Sequence, residues 1–86
     1  MYFLYILKSD SAEWYYVGVT ENLDSRLKRH NSGLVRSTKS RKPYKVVYFE
    51  EYLSKANARK RELVIKSNWK IKQEIISKIK ASSSNG

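Results

Sequence analysis

The sequence predicts an α+β domain, a three-stranded antiparallel sheet flanked by helices in the order ββαβαα. Three observations carry this prediction. Two short apolar and aromatic runs, 2–7 and 15–19, are separated by a polar hexapeptide. A third run, 44–52, is the richest in β-branched and aromatic residues. The segments that follow the second and third runs switch to helical spacing. At 86 residues the chain has room for one domain and not two. Residues 1–80 are expected to form it, with 81–86 (ASSSNG) as a frayed tail without an apolar anchor.

Residues 2–7 (YFLYIL) are continuously apolar and too short for a helix, so they read as a strand covered on both faces. Residues 9–14 (SDSAEW) suit a hairpin loop, and 15–19 (YYVGV) return from it. Gly18 inside that strand signals close backbone approach or a bend. Leu23 and Leu27 open a helix over Leu23–Asn31, with Thr20 or Asn22 as cap, Glu21 or Asp24 at its positive end and Gly33 as stop. Residues 32–43 carry little pattern and read as a loop ordered only in part, with Pro43 biasing Lys42 toward extended backbone. Residues 44–52 (YKVVYFEEY) give the strongest strand signal. Ser54 caps a helix through Ala58, Glu62 and Ile65. Ser67-Asn68 breaks it weakly, and a last helix, Trp69–Lys80, presents Ile71, Ile75, Ile76 and Ile79 at helical spacing.

Composition narrows the partners. Eighteen basic and eight acidic residues leave a net charge of +10, beyond what solubility alone asks of a small domain. Such self-repulsion suits a polyanionic partner, nucleic acid first, with an anionic membrane surface or an acidic protein as alternatives. There is no cysteine, hence no disulfide and no thiolate zinc site, and one histidine excludes a histidine-rich metal site. A metal would need oxygen ligands, which suits Mg²⁺ or Mn²⁺. No run approaches a membrane span and no signal peptide shows, so the expected location is cytoplasmic.

Five residues are candidates for chemistry. Tyr5 and Tyr16 sit on strands that lie side by side. They are either core tyrosines or phenols at one rim of the sheet, placed to orient a water, take its proton or contact a phosphate. Arg26 is either solvated or a guanidinium fork held against phosphate oxygens. His30 lies at i+4 from Arg26; as a surface residue it is bland, but its ordinary pKa makes it the best proton acceptor in the chain. Glu62 stands on the apolar stripe of its helix between Ala58 and Ile65, with Trp69 as an extension if the helix continues. A carboxylate there snorkels outward, pairs with Arg59 or Arg61, or holds a metal whose shell waters and phosphate complete. Around them Lys28, Arg29, Arg36, Lys39, Arg41, Lys42 and Lys45 read as a solvated face or a salt-sensitive, sequence-blind clamp on a nucleic-acid backbone, with Ser37, Thr38 and Ser40 as hydroxyl donors. A second cationic set runs from Lys55 through Lys60, Lys66 and Lys70 to Lys72.

The ordered set is similar to a known family. Phe3-Leu4-Tyr5, Tyr16-Val17-Gly18, Asn22-Leu23-Asp24-Ser25-Arg26-Leu27 with His30, and Ala58-Arg59-Lys60-Arg61-Glu62 with Ile65-Lys66 together resemble the GIY-YIG nuclease superfamily. The nearest likeness is to its small single-domain bacterial members, related to the N-terminal nuclease domain of the DNA-repair excinuclease. The resemblance implies a Mg²⁺- or Mn²⁺-dependent endonuclease acting on DNA, more than on RNA. By it Tyr5 and Tyr16 correspond to the two site tyrosines, Arg26 to the essential arginine and Glu62 to the metal ligand. His30 stands where excinuclease-like members carry another tyrosine. Val19 stands where those members carry a lysine, so either His30 takes over proton handling or activity is low.

The expected function is therefore metal-dependent hydrolysis of DNA phosphodiesters. The alternative is a non-catalytic nucleic-acid-binding module with the same fold. A third possibility is docking on an acidic partner, with the apolar last helix serving that or a homodimer.

Overall fold

The structure, a computed structural model, describes residues 1–83. Its elements are β1 (Tyr2–Ser9), β2 (Tyr15–Thr20), α1 (Leu23–Asn31), a 3₁₀ turn (Lys39–Arg41), β3 (Tyr44–Tyr52), α2 (Lys55–Ser67) and α3 (Trp69–Ser83). The expected order ββαβαα is the one observed. The sheet is antiparallel, ordered β2-β1-β3, so the most apolar strand is central. Continuous burial of Leu4, Tyr5, Ile6 and Leu7 follows from that position, since a central strand between two covered faces has no solvent side.

Side chains alternate across the sheet. On one face Leu4, Ile6 and Val17 pack with Ile65 of α2 and Ile75 and Ile79 of α3. On the other, Tyr5, Leu7 and Tyr44 pack with Tyr16, Trp14, Val46 and the α1 residues Leu23 and Leu27. A bulge in β3 opposite Ile6 and Leu7 shifts the register there.

The helix ends follow from their capping residues. Asn22 accepts from the Ser25 amide at 3.0 Å and starts α1. At its far end Gly33, at φ +83°, lets its own amide reach His30 O and the Leu34 amide reach Arg29 O, closing a Schellman turn. Ser54 caps α2 through the Asn57 amide at 3.2 Å. Asn68 serves both helices: its amide donates to Val64 O to end α2, and its side chain accepts from the Ile71 amide to start α3. The Ser67-Asn68 break is therefore a defined corner. Trp69 begins the next helix, 73% exposed, and does not extend the Glu62 stripe. α3 continues past Lys80 to Ser83, so the first half of the expected tail is helical; residues 84–86 lie outside the described residues. Among the described residues no helix is long and apolar enough to cross a membrane.

Segment 32–43, expected to be only partly ordered, is anchored. Thr38 has no exposed surface, Tyr44 Oη donates to its carbonyl at 2.9 Å, and Lys42 is extended before Pro43. The sequence of the loop does not show this, because the side chains that hold Thr38, those of His30 and Tyr44, belong to α1 and β3.

Candidate active site

The site starts from strand register. Tyr5 opposes Gly18 and Tyr16 opposes Leu7, so the two tyrosines are diagonal neighbours on one face, their ring centroids 6.2 Å apart. Gly18 makes this possible. A Cβ at that position would stand 2.6 Å from Tyr5 Oη and 2.7 Å from its Cζ, so the tyrosine end lies directly against the glycine backbone. The close approach expected at Gly18 is thus made by a site residue.

α1 crosses this face and supplies Arg26 and His30. Arg26 is half-buried. His30 is fully buried, its ring 4.8 Å from that of Tyr16. Both its nitrogens are engaged: Nε2 with Tyr5 Oη at 3.1 Å, and Nδ1 with Thr38 Oγ1 at 2.8 Å. Thr38 Oγ1 donates to Val35 O at 3.3 Å. It therefore accepts from Nδ1–H, and Nε2 is left to accept from the Tyr5 hydroxyl.

Glu62 comes from α2, buried with Ala58 and Ile65 as their spacing suggested. Its nearest partner is Lys66, 2.9 Å from Oε2; Arg59 Nε is 3.8 Å from Oε1, too far for a hydrogen bond. Arg61, also in range by sequence, turns instead to Glu50 on β3 at 3.0 Å. The Lys66 ammonium that holds Glu62 also lies 5.9 Å from the Tyr16 ring centroid, which brings α2 to the two tyrosines.

Electrostatics tie the four groups together. Burial, with the neighbouring Tyr16 and the Glu62 charge, pushes the Tyr5 phenol well above its ordinary pKa, while Arg26 opposes this by charge and hydrogen bonding. Tyr5 therefore stays protonated. Burial, reinforced by Arg26 and Arg29, lowers His30 to about 4, so the imidazole is neutral near pH 7. Tyr16 is only half-buried.

Among the described residues no group of three or more His, Cys, Asp or Glu gathers to hold a metal. The donor set still fits one hard cation. Glu62 is a carboxylate with one oxygen free of hydrogen bonds, and its closest cation, Lys66, sits on a half-exposed side chain able to move aside.

The cationic residues named from sequence, Lys28, Arg29, Arg36, Lys39, Arg41, Lys42 and Lys45, are all solvent-accessible. Arg41 stacks on the Trp14 ring at 4.8 Å, and Trp14 lies 6.4 Å from Tyr16, so this loop reaches the edge of the site. Sequence reasoning did not single out Trp14, Tyr44, Lys66 or Thr38 as parts of this cluster. Only Lys66, at i+4 from Glu62, carried a local signal.

A three-stranded sheet thus presents two tyrosines, α1 crosses it with an arginine and a histidine, and α2 brings up a glutamate. The model of the GIY-YIG catalytic domain matches residues 1–74, and the chain belongs to the GIY-YIG family. It is 45% identical over 67 residues to the UPF0213 protein CPE1444 of Clostridium perfringens, covering 77% of this chain and 71% of that one. It is 37% identical over 67 residues to UPF0213 protein SERP0126 of Staphylococcus epidermidis, covering 77% and 80%. A solution NMR structure of the UPF0213 protein BH0048 from Bacillus halodurans is similar with TM-score 0.55 and 30% identity, over 90% of this chain and 84% of that one.

Proposed function

We propose that the chain is a divalent-metal-dependent endonuclease that hydrolyses DNA phosphodiester bonds. The observation that supports this best is that Tyr5, lying against Gly18, is influenced by Tyr16, Arg26 and Glu62 at once. Two phenols, a guanidinium and a carboxylate thus share one small site on a chain of net charge +10.

The environment divides the roles. Tyr5 is kept protonated by burial and its hydroxyl is engaged with His30, so it is not the base. His30 is sealed from solvent with Nε2 occupied, so it does not meet the attacking water. Of the two candidate proton acceptors, Tyr16 and His30, this reading takes Tyr16. In this mechanism Tyr16 relays the proton of the attacking water: its oxygen takes a proton from water as the water oxygen bonds to phosphorus, and its own hydroxyl proton passes to solvent. The bond from phosphorus to the 3′ oxygen breaks, and that oxygen takes a proton from solvent. Arg26 neutralises the charge that builds on the non-bridging oxygens. Glu62, released by Lys66, would hold Mg²⁺ or Mn²⁺. When bound, such an ion supplies Lewis-acid charge neutralisation at the leaving oxygen. The exposed cations from Lys28 to Lys45 bind backbone phosphates without reading sequence.

The test is cleavage of supercoiled plasmid, nicked duplex and branched DNA with Mg²⁺ or Mn²⁺, against a chelator control. Wild type should cut, and Arg26→Ala and Glu62→Ala should each lose roughly 10²–10³-fold in rate, the scale of other electrostatic deletions. Equal inertness of wild type and Glu62→Ala would contradict the proposal. The Lys66–Glu62 ion pair favours one second reading, a DNA-binding module whose carboxylate never opens. It predicts salt-sensitive binding with no metal-dependent turnover in the same assay.

A further inference from the structure

Among the buried polar groups that the mechanism leaves unused, Thr38 is bonded to a residue of the site. Thr38 has no exposed surface and sits in the middle of the cationic loop, yet its hydroxyl points into the protein at His30. The bonds around it run in one direction. At their outer end Arg26 favours negative charge on the Tyr5 oxygen, opposing the rise in its pKa. Tyr5 Oη donates to His30 Nε2, His30 Nδ1–H donates to Thr38 Oγ1, and Thr38 Oγ1 donates to Val35 O. Tyr44, buried beneath, donates to the Thr38 carbonyl and fixes the residue from the other side. Tyr5, His30 and Thr38 each have one side-chain hydrogen to donate, and each directs it to the next acceptor, away from the site.

Direction matters because an imidazole has two neutral tautomers. If the ring carried its proton on Nε2, the Tyr5 oxygen would receive that proton, and its own hydroxyl hydrogen would turn toward Arg26. A hydroxyl hydrogen aimed at a guanidinium repels it; a lone pair aimed there holds it. The tautomer buried in α1 therefore decides whether Tyr5 anchors Arg26 or pushes it away.

We propose that Thr38 is a positioning residue which, by accepting from His30 Nδ1–H, turns the Tyr5 proton inward and so holds the Arg26 guanidinium in place for phosphate. Its role in catalysis rests on the nuclease reading above; the direction of the hydrogen bonds does not. The geometry also links two parts of the site. Arg36, Lys39, Arg41 and Lys42 flank Thr38 on the same loop, so the segment that contacts the DNA backbone is fastened to the group that aims the arginine.

The chain has a single histidine, so its ring nitrogens can be read by ¹⁵N NMR without assignment. Wild type and Thr38→Ser should show a protonated Nδ1 and a pyridine-like Nε2. Thr38→Val, which keeps the shape and removes the hydroxyl, should lose that preference. In single-turnover cleavage Thr38→Val should slow by at least ~10-fold, as expected for a misaimed group, with DNA affinity unchanged and with recovery in Thr38→Ser. A wild-type ring protonated on Nε2, or a Thr38→Val protein with unaltered tautomer and rate, would overturn the proposal. If Thr38→Val does not fold, Tyr5→Phe serves for the NMR arm. Nδ1 should stay protonated there because Thr38 still accepts from it, and a switch to Nε2 would count against the proposal. An inert wild type would remove the nuclease reading, while the tautomer and its response to the substitutions still decide this one.

Discussion

On one face of the sheet Leu4, Ile6 and Val17 meet Ile65, Ile75 and Ile79 in apolar packing. On the other, Tyr5, His30, Thr38 and Tyr44 are just as deeply buried, but each is bonded to the next through a hydroxyl, a carbonyl or a ring nitrogen. The first face needs only volume and shape, and apolar exchanges that keep volume are tolerated there. The second needs direction as well, since a buried polar group without its partner costs the full desolvation penalty. That requirement is what makes the second face useful. A network whose hydrogen bonds run in one direction can hold a charged side chain in a fixed place, and an apolar core cannot. In the proposed function the domain uses one side of β1 for stability and the other for chemistry, and the same strand serves both by alternation.

The comparison can be broken on either side. The largest expected effect on stability is on the apolar face. Leu4→Ala removes a fully buried side chain from the central strand and should cost about 2–5 kcal/mol. Chemical denaturation should show this as a lower midpoint with unchanged slope. A loss under about 1 kcal/mol would mean that this face does not dominate stability.

The polar face should reveal itself through pH. His30 is held near 4 in the folded state against about 6.5 for a free histidine. Between these values the unfolded chain binds the proton and the folded chain does not. The contribution is therefore complete above about pH 6.5 and is lost progressively as pH falls toward 4, reaching roughly 3 kcal/mol. Burial pushes the Glu50 carboxyl up, but bonds from Arg61, Tyr48 and Tyr52 outweigh this and hold it below the ordinary range, so its own contribution starts to be lost only at the acid end of this window and is shared by wild type and His30→Gln. Denaturation midpoints from pH 7 to 4 should fall in wild type and stay flatter in His30→Gln. Parallel curves would refute the buried neutral imidazole.

A smaller effect sharpens the boundary between the two faces. Gly18→Ala places a Cβ against the Tyr5 phenol end, and overpacking of this kind costs about 1–3 kcal/mol. Because the clash falls on Tyr5, cleavage should suffer more than the melting temperature suggests. Loss of stability with full activity would show that Tyr5 can move without consequence.

Much of the fold was legible because its signals are local. The YFLYIL run marked a strand with no solvent side, the Asn22 cap and Gly33 stop bracketed α1, and Ser54 started α2. What stayed hidden depends on pairing across the chain. Nothing in residues 44–52 says that β3 adds beside β1 or that it bulges opposite Ile6 and Leu7. Trp69 looked like part of the Glu62 stripe until Asn68 was seen to cap both helices. The site divides in the same way. Tyr5, Tyr16, Arg26 and Glu62 were visible through spacing and family likeness. The partner of Glu62 was not, because Arg59, Arg61 and Lys66 were all within reach, and only Glu50 on another strand explains why Arg61 turns away. Thr38 looked like one more hydroxyl in a basic loop, since its bond to His30 spans eight residues with no periodic pattern between them.

The most direct test of the central claim is the single-turnover cleavage rate of Glu62→Gln relative to wild type, at saturating Mn²⁺ and with DNA binding matched. Glutamine keeps the size of the side chain and removes the charge. A rate lower by about 10²–10³-fold at equal affinity is the predicted result. Cleavage at the wild-type rate would contradict the assignment of Glu62, and with it the view that these two tyrosines, one arginine and one carboxylate form a single catalytic site.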